Sequence, residues 1–229
     1  MHEHPPGYET EQPVDLGRRL AAAPPPDRPK ETPKVAPGPL AVEVPGSWLT
    51  VIANVKPRTF KTTTARMLEA VLGPVRDDLR FVEGARRPVH GLVVADSASD
   101  PTGAAWRPGI QAADQLVIPV PDDPDAARAA KWMLDELEDE GRFTLTTGAI
   151  TAMIRTGRDR RFARRARRYF AGRTAEVVEI RPRQEDPAPW VPLAEVLLRR
   201  LAQQAATEPA GGESGSVVPL HPYQQKVVS

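Results

Sequence analysis

A lysine followed by two threonines, Lys61-Thr62-Thr63, stands between an apolar run and a helical pattern. That order suits phosphate chemistry. Backbone N–H groups and a helix N-terminus can cradle phosphate oxygens. The lysine then reaches the outer phosphates, and the hydroxyl after it, here Thr62, holds a magnesium ion. The apolar run is Leu49 to Ala53, and Asn54-Val55-Lys56-Pro57-Arg58-Thr59-Phe60 connects it to Lys61. This is the layout of a P-loop without its glycines. Glycine belongs there because the backbone must approach the phosphate and adopt positive φ. Pro57 removes a donor N–H, and Phe60 puts a large side chain where the loop wraps closest. Downstream, Asp96 closes a second apolar run that begins at Gly91. By itself such an Asp could simply cap a turn with Ser97 and Ser99.

The elements that must position these residues alternate. Strands are expected at Trp48–Asn54, Gly91–Asp96, Gln115–Val120, Ala149–Ile154 and Glu176–Ile180. Helices are expected at Thr62–Leu72, Pro124–Glu140, Phe162–Phe170 and Pro192–Ala206. Strands separated by helices indicate a parallel sheet covered on both faces. Ligands of such sheets bind at the carboxyl ends of the strands, where Lys61 and Asp96 would both lie. The helix from Pro124 has a clear start, with Asp122 or Asp123 as cap. Its apolar stripe is Ala127, Ala130, Met133, Leu134 and Leu137. Trp48, Trp106, Trp132 and Trp190 read as packing residues.

Composition bounds the rest. Of 229 residues 26 are proline, and residues 1–45 hold many of them with few bulky apolar side chains. Such a stretch cannot bury enough surface to offset its ordering entropy, so 1–45 reads as a disordered arm. Residues 208–229 read as a flexible tail, leaving one domain at 46–207. The chain has no cysteine, which excludes disulfides and thiolate chemistry. No apolar run is long enough to span a membrane, and a cytoplasmic protein is expected.

Arginines crowd one helix: Arg160, Arg161, Arg164, Arg165, Arg167 and Arg168, with Arg155, Arg158 and Arg173 at its flanks. Arginine is suited to phosphate contact, and a basic face of this kind binds nucleic acid in a salt-dependent way. The other reading is internal neutralisation by the acidic helix that carries Asp135, Glu136, Glu138, Asp139 and Glu140. The formal net charge of +1 is compatible with both.

The Lys56–Thr63 run resembles the deviant Walker A motif of the ParA/MinD family of P-loop ATPases, K-G-G-V-G-K-T-T. Lys56 stands at the signature lysine, and Lys61, Thr62 and Thr63 match K-T-T. Pro57, Arg58 and Phe60 replace the three glycines. Gly91 to Asp100 resembles the second motif, with Asp96 as its acid. Ala112 to Val120 is similar to the A-A-D-x-x-(apolar)-P-x segment. The resemblance spans roughly residues 46 to 206. It implies a three-layer α/β P-loop NTPase-like fold with a mostly parallel, shortened sheet. It implies ATP and Mg2+ as cofactors: Lys61 and Thr63 on phosphate, Thr62 and Asp96 on the metal. Lys56 would be catalytic, reaching across a homodimer to the partner's nucleotide. It further implies roles in DNA partition, division-site positioning or conjugation, with nonspecific DNA and a protein as partners. The chain departs from the family in three places. Its glycines are lost, so nucleotide binding is weak or lost; the alternative is a pseudo-ATPase scaffold for DNA or a protein. The interval between Gly73 and Val89 looks deleted. Arg155 stands where the family tends to place Asn.

Overall fold

Alternating burial along the strands sets the architecture. Trp48 and Ile52 turn to one apolar cluster, while Leu49, Val51 and Ala53 turn to another. A strand with two buried faces needs a covering layer on each side. A computed structural model describes residues 40, 42–83, 91–97, 107–157 and 159–207. Strand β1 (Ser47–Ile52) is followed by α1 (Lys61–Leu72), β2 (Leu79–Glu83) and β3 (Gly91–Asp96). Next come α2 (Arg107–Gln111), β4 (Gln115–Pro121), α3 (Pro124–Asp139) and α4 (Phe143–Gly148). The domain closes with β5 (Ile150–Ile154), α5 (Arg160–Ala171), β6 (Glu176–Ile180) and α6 (Val191–Thr207).

The six strands form one sheet in the order β2-β3-β1-β4-β5-β6, and every pairing is parallel. Helices α1 and α6 pack on one face through Leu68, Leu72, Leu193 and Leu197. Helices α3 and α5 pack on the other through Met133, Leu137 and Phe170. Strand β1 lies between β3 and β4, the point where the chain's direction of travel across the sheet reverses. Crevices open at such points. Register aligns Ile52 with Asp96, and Pro121 with Ile154 and Ile180. All the carboxyl ends therefore share one rim.

Strand β2 corrects the sequence reading, which found nothing between Gly73 and Val89. It pairs in parallel with β3 along its whole length. Leu79 and Phe81 pack against the α1/α6 cluster and Val82 against the other. Arg80 breaks the run, which is why only three apolar residues show. Gly91 permits the join: its φ is +82°, and a Cβ there would lie 2.4 Å from the Asp78 carbonyl oxygen. The short helices α2 and α4 were likewise unexpected. Trp48 and Trp190 are buried as expected. Trp132 is not, being 42% exposed; Trp106 lies outside the described residues.

The expected arm ends too late. Val44 is buried, and Leu40 and Val42 pack against the α1/α6 cluster. The Trp48 indole donates to the Pro45 carbonyl at 2.7 Å, and Arg76 donates to the Val42 carbonyl at 2.7 Å. Positions 1–39 and 208–229 lie outside the described residues. Among the described residues no helix is long and apolar enough to cross a membrane. A chain beginning at Gly46 loses the Val44 burial, about 1.5–3 kcal/mol by transfer. Its melting temperature should fall by several degrees relative to a chain beginning at Gly38, as read by circular dichroism.

Candidate functional site

The connection between β1 and α1 is built around Asn54, which is fully buried. Its side-chain amide donates to the Pro119 carbonyl at 2.9 Å and to the Ala126 carbonyl at 3.4 Å. Its Oδ1 accepts from the Lys56 backbone N–H at 3.1 Å. The pairing of β1 with β4 has ended by then, with Ile52 opposite Val117. Asn54 thus continues the tie between the two strands with its side chain. The Thr59 hydroxyl donates to the Lys56 carbonyl at 3.0 Å. Arg58 and Phe60 hold φ of 59° and 64°. These are left-handed conformations that glycine supplies without strain, and here two bulky residues adopt them. Phe60 also packs its ring against the α1/α6 cluster, so the ring has a core-facing anchor.

Lys61, Thr62 and Asp96 come together at the rim. The Thr62 hydroxyl donates to Asp96 Oδ2 at 2.6 Å. Asp96 Oδ1 is buried and has no hydrogen-bond partner among the described residues. A hydroxyl beside a carboxylate with a spare oxygen is a hard donor pair suited to Mg2+. Among the described residues no three His, Cys, Asp or Glu side chains gather to hold a metal. The pair is therefore a part-site that phosphate oxygens and water would have to complete. Lys61 is buried, and its Nζ donates to the Asn54 carbonyl at 3.0 Å. Burial pushes its pKa down, against the opposing charge of Asp96. Thr63 sits half-buried in the first turn of α1. No side chain caps that helix. The cation half of a nucleotide site fits the residues present. The phosphate half is altered: Pro57 offers no N–H, the Lys56 N–H is committed to Asn54, and Lys61 is turned to the loop's own carbonyl.

Lys56 pairs within its own chain. Its Nζ lies 2.7 Å from Asp123 and 3.6 Å from Asp125. The Asp123 hydrogen bond raises the Lys56 pKa and lowers its own. Asp123 also caps α3, accepting from the Asp125 N–H at 2.9 Å. Its neighbour Asp122 faces the other way and is buried. It accepts from the Thr156 hydroxyl, from the Thr156 N–H at 3.0 Å and from the Gly157 N–H at 3.0 Å. Two consecutive aspartates thus brace the loops after β1 and after β5. Sequence reasoning assigned them only as caps and missed Asn54. The available signal for Asn54 was an amide closing an otherwise apolar strand.

The arginines of α5 are open. Ala163, Ala166 and Phe170 form the buried stripe, which leaves Arg160, Arg161, Arg164, Arg165, Arg167 and Arg168 exposed. Asp159 caps the helix by accepting from the Arg161 and Phe162 N–H groups. The acidic helix takes other partners: Arg173 meets Asp135 and Glu138, and Arg107 meets Glu136 and Glu140. Of the six exposed arginines, Arg167 forms the single ion pair among the described residues, with Glu179 at 3.4 Å. Arg155 lies beside Asp122 and Glu179; Arg158 lies outside the described residues.

No protein-family model matches the chain, and no curated protein matches it in sequence. Its backbone is similar to a plasmid partition protein of Borrelia burgdorferi B31 bound to AMPPNP. The TM-score is 0.52 at 9% identity, covering 67% of this chain and 98% of that one. It is also similar to a plasmid partition protein from Borrelia burgdorferi at 2.25 Å resolution, with TM-score 0.51, 9% identity and the same coverage of 67% and 98%. The chain shares the α/β fold of these two plasmid partition proteins.

Burial alone would raise the Asp122 pKa, but the hydrogen bonds from Thr156 and Gly157 together outweigh it and hold it low. Stability from this charge is complete above the unfolded value of about 3.9 and is lost as pH falls through the lower folded value. Asp122→Asn should therefore cost about 1–3 kcal/mol at pH 7. The gap to wild type should narrow in melts at the most acidic pH at which both remain folded.

Proposed function

We propose that this chain is a ParA/MinD-like positioning protein with a degenerate nucleotide site. Its roles would lie in DNA partition, division-site placement or conjugation, in the cytoplasm. The carrying observation is the 2.6 Å approach of Thr62 to Asp96 at the reversal point of a parallel sheet. Fold likeness to a partition protein bound to AMPPNP supports the same reading. Lys61 and Thr63 would meet phosphate; Thr62 and Asp96 would hold Mg2+. Lys56 would act on a partner's nucleotide in a homodimer only after leaving Asp123. The seat of Lys61 on the Asn54 carbonyl favours weak binding, and with it a second reading. In that reading the loop is structural and the protein is a pseudo-ATPase scaffold for DNA or a protein partner.

Two measurements test these readings. Wild type should bind ATP weakly or not at all by calorimetry with Mg2+. Restoring glycine at 57, 58 and 60 should raise affinity, since the Thr62–Asp96 pair is already placed. A wild-type dissociation constant in the low micromolar range, abolished by Lys61→Ala, would overturn the degenerate site.

The α5 arginines would contact duplex DNA without sequence preference. Affinity should fall steeply with salt as phosphate contacts release counterions. Changing Arg164, Arg165, Arg167 and Arg168 to Ala should weaken binding and flatten the salt slope in filter-binding titrations. The melting temperature should hardly move, because exposed charges contribute little to stability. A large loss of stability with unchanged DNA binding would sink this assignment.

A further inference from the structure

The carboxyl ends of β5 and β6 and the outer face of α5 enclose an open groove of about 1020 Å³. Arg155, Arg160, Arg164, Arg167, Arg168 and Arg181 line it, and among the described residues Glu179 is the one carboxylate that does. Arg155 follows β5 and Arg181 follows β6, so strand ends supply two of the charges and the helix supplies four. Like charges gathered in one concavity repel one another and raise the local potential. Glu179 only partly offsets this. It lies 3.4 Å from both Arg155 and Arg167, well beyond the roughly 2.7–2.9 Å of a strong charged pair. A better acceptor would displace it.

Depth decides what that acceptor is. The Arg155 side chain is 16% exposed and that of Arg167 is 60% exposed. The Arg155 Nε is buried, faces Asp122 Oδ2 at 4.0 Å, and makes no hydrogen bond among the described residues. A duplex carries its phosphates on the outside of a wide cylinder and can meet the exposed rim but not Arg155. A single nucleic-acid strand could enter, but such strands bind by stacking their bases on aromatic side chains. Among the described residues no aromatic side chain lines the groove. Planar guanidinium forks instead match phosphate oxygens two at a time.

We propose that this groove is a second anion site, separate from the Lys61 loop, that binds consecutive phosphate groups of a slim oligophosphate chain. The chain could be free or could be the tail of a nucleotide. The site stands whether or not the Lys61 loop binds nucleotide.

Calorimetric titration of the full chain with sodium tripolyphosphate, without Mg2+ and at low salt, tests the assignment. Binding should appear and weaken steeply with salt. Arg168→Ala and Arg181→Ala together should weaken it by about tenfold or more, the scale of lost charged hydrogen bonds. Neither residue has an ion-pair partner among the described residues whose loss would disturb folding. Glu179→Gln should tighten binding severalfold, a gain that a merely damaged protein cannot produce. Lys61→Ala should leave the binding in place. Titration with ATP in the Lys61→Ala background separates the sources: equal affinity points to a free chain, and tighter ATP binding to a nucleotide tail. The proposal is overturned if tripolyphosphate does not bind, or if Lys61→Ala abolishes binding while the arginine pair does not. It is also overturned if Arg161→Ala with Arg165→Ala, both outside the groove, weakens binding as much.

Discussion

A buried amide at the end of β1 organises this molecule's rim. Asn54 ties its strand to Pro119 and Ala126 across the gap where strand pairing stops. It also receives Lys56 through its side chain and Lys61 through its carbonyl. A buried polar group left without partners costs far more than a made hydrogen bond contributes, so these contacts act as a set. Loss of one would strand the others. The shape of the Lys56–Lys61 connection therefore depends on Asn54 more than on the residues that could touch a ligand.

Much of this was legible in the sequence. Five of the six strands and the four longer helices followed from apolar periodicity and punctuation. Lys61 and Asp96 were brought together by the rule that parallel sheets bind ligands at their carboxyl ends. Strand β2 was hidden because Arg80 interrupts its apolar residues, and because it is recognisable mainly through its pairing with β3. Leu40, Val42 and Val44 were hidden among prolines, whose abundance masked three well-spaced apolar contacts. Asn54 and Asp122 escaped for another reason: their partners lie 65 and 34 positions away. No local window joins residues so distant. Charge was read correctly as dense on α5, but sequence could not tell an open face from a paired one. The acidic helix had other partners.

The loop and the groove treat their charges in opposite ways. Lys61 has a lowered pKa because it is taken from water, and it is held against neutral carbonyl oxygen. The α5 arginines stay in water, and among the described residues Arg167 is the one that forms an ion pair. Between the two, Asp122 and Asp123 interpose carboxylates that brace one loop each.

The common direction of the strands also gives the domain two unlike ends. Lys61, Asp96, Asp122 and Arg155 all sit at the end where strands finish. Since the chain has no cysteine, one introduced thiol would be a unique chemical handle. Thr144 is exposed on α4, immediately ahead of β5. A Thr144→Cys protein coupled to a bead or chip through that sulfur would be immobilised in one orientation, with its charged rim directed into the flowing solution.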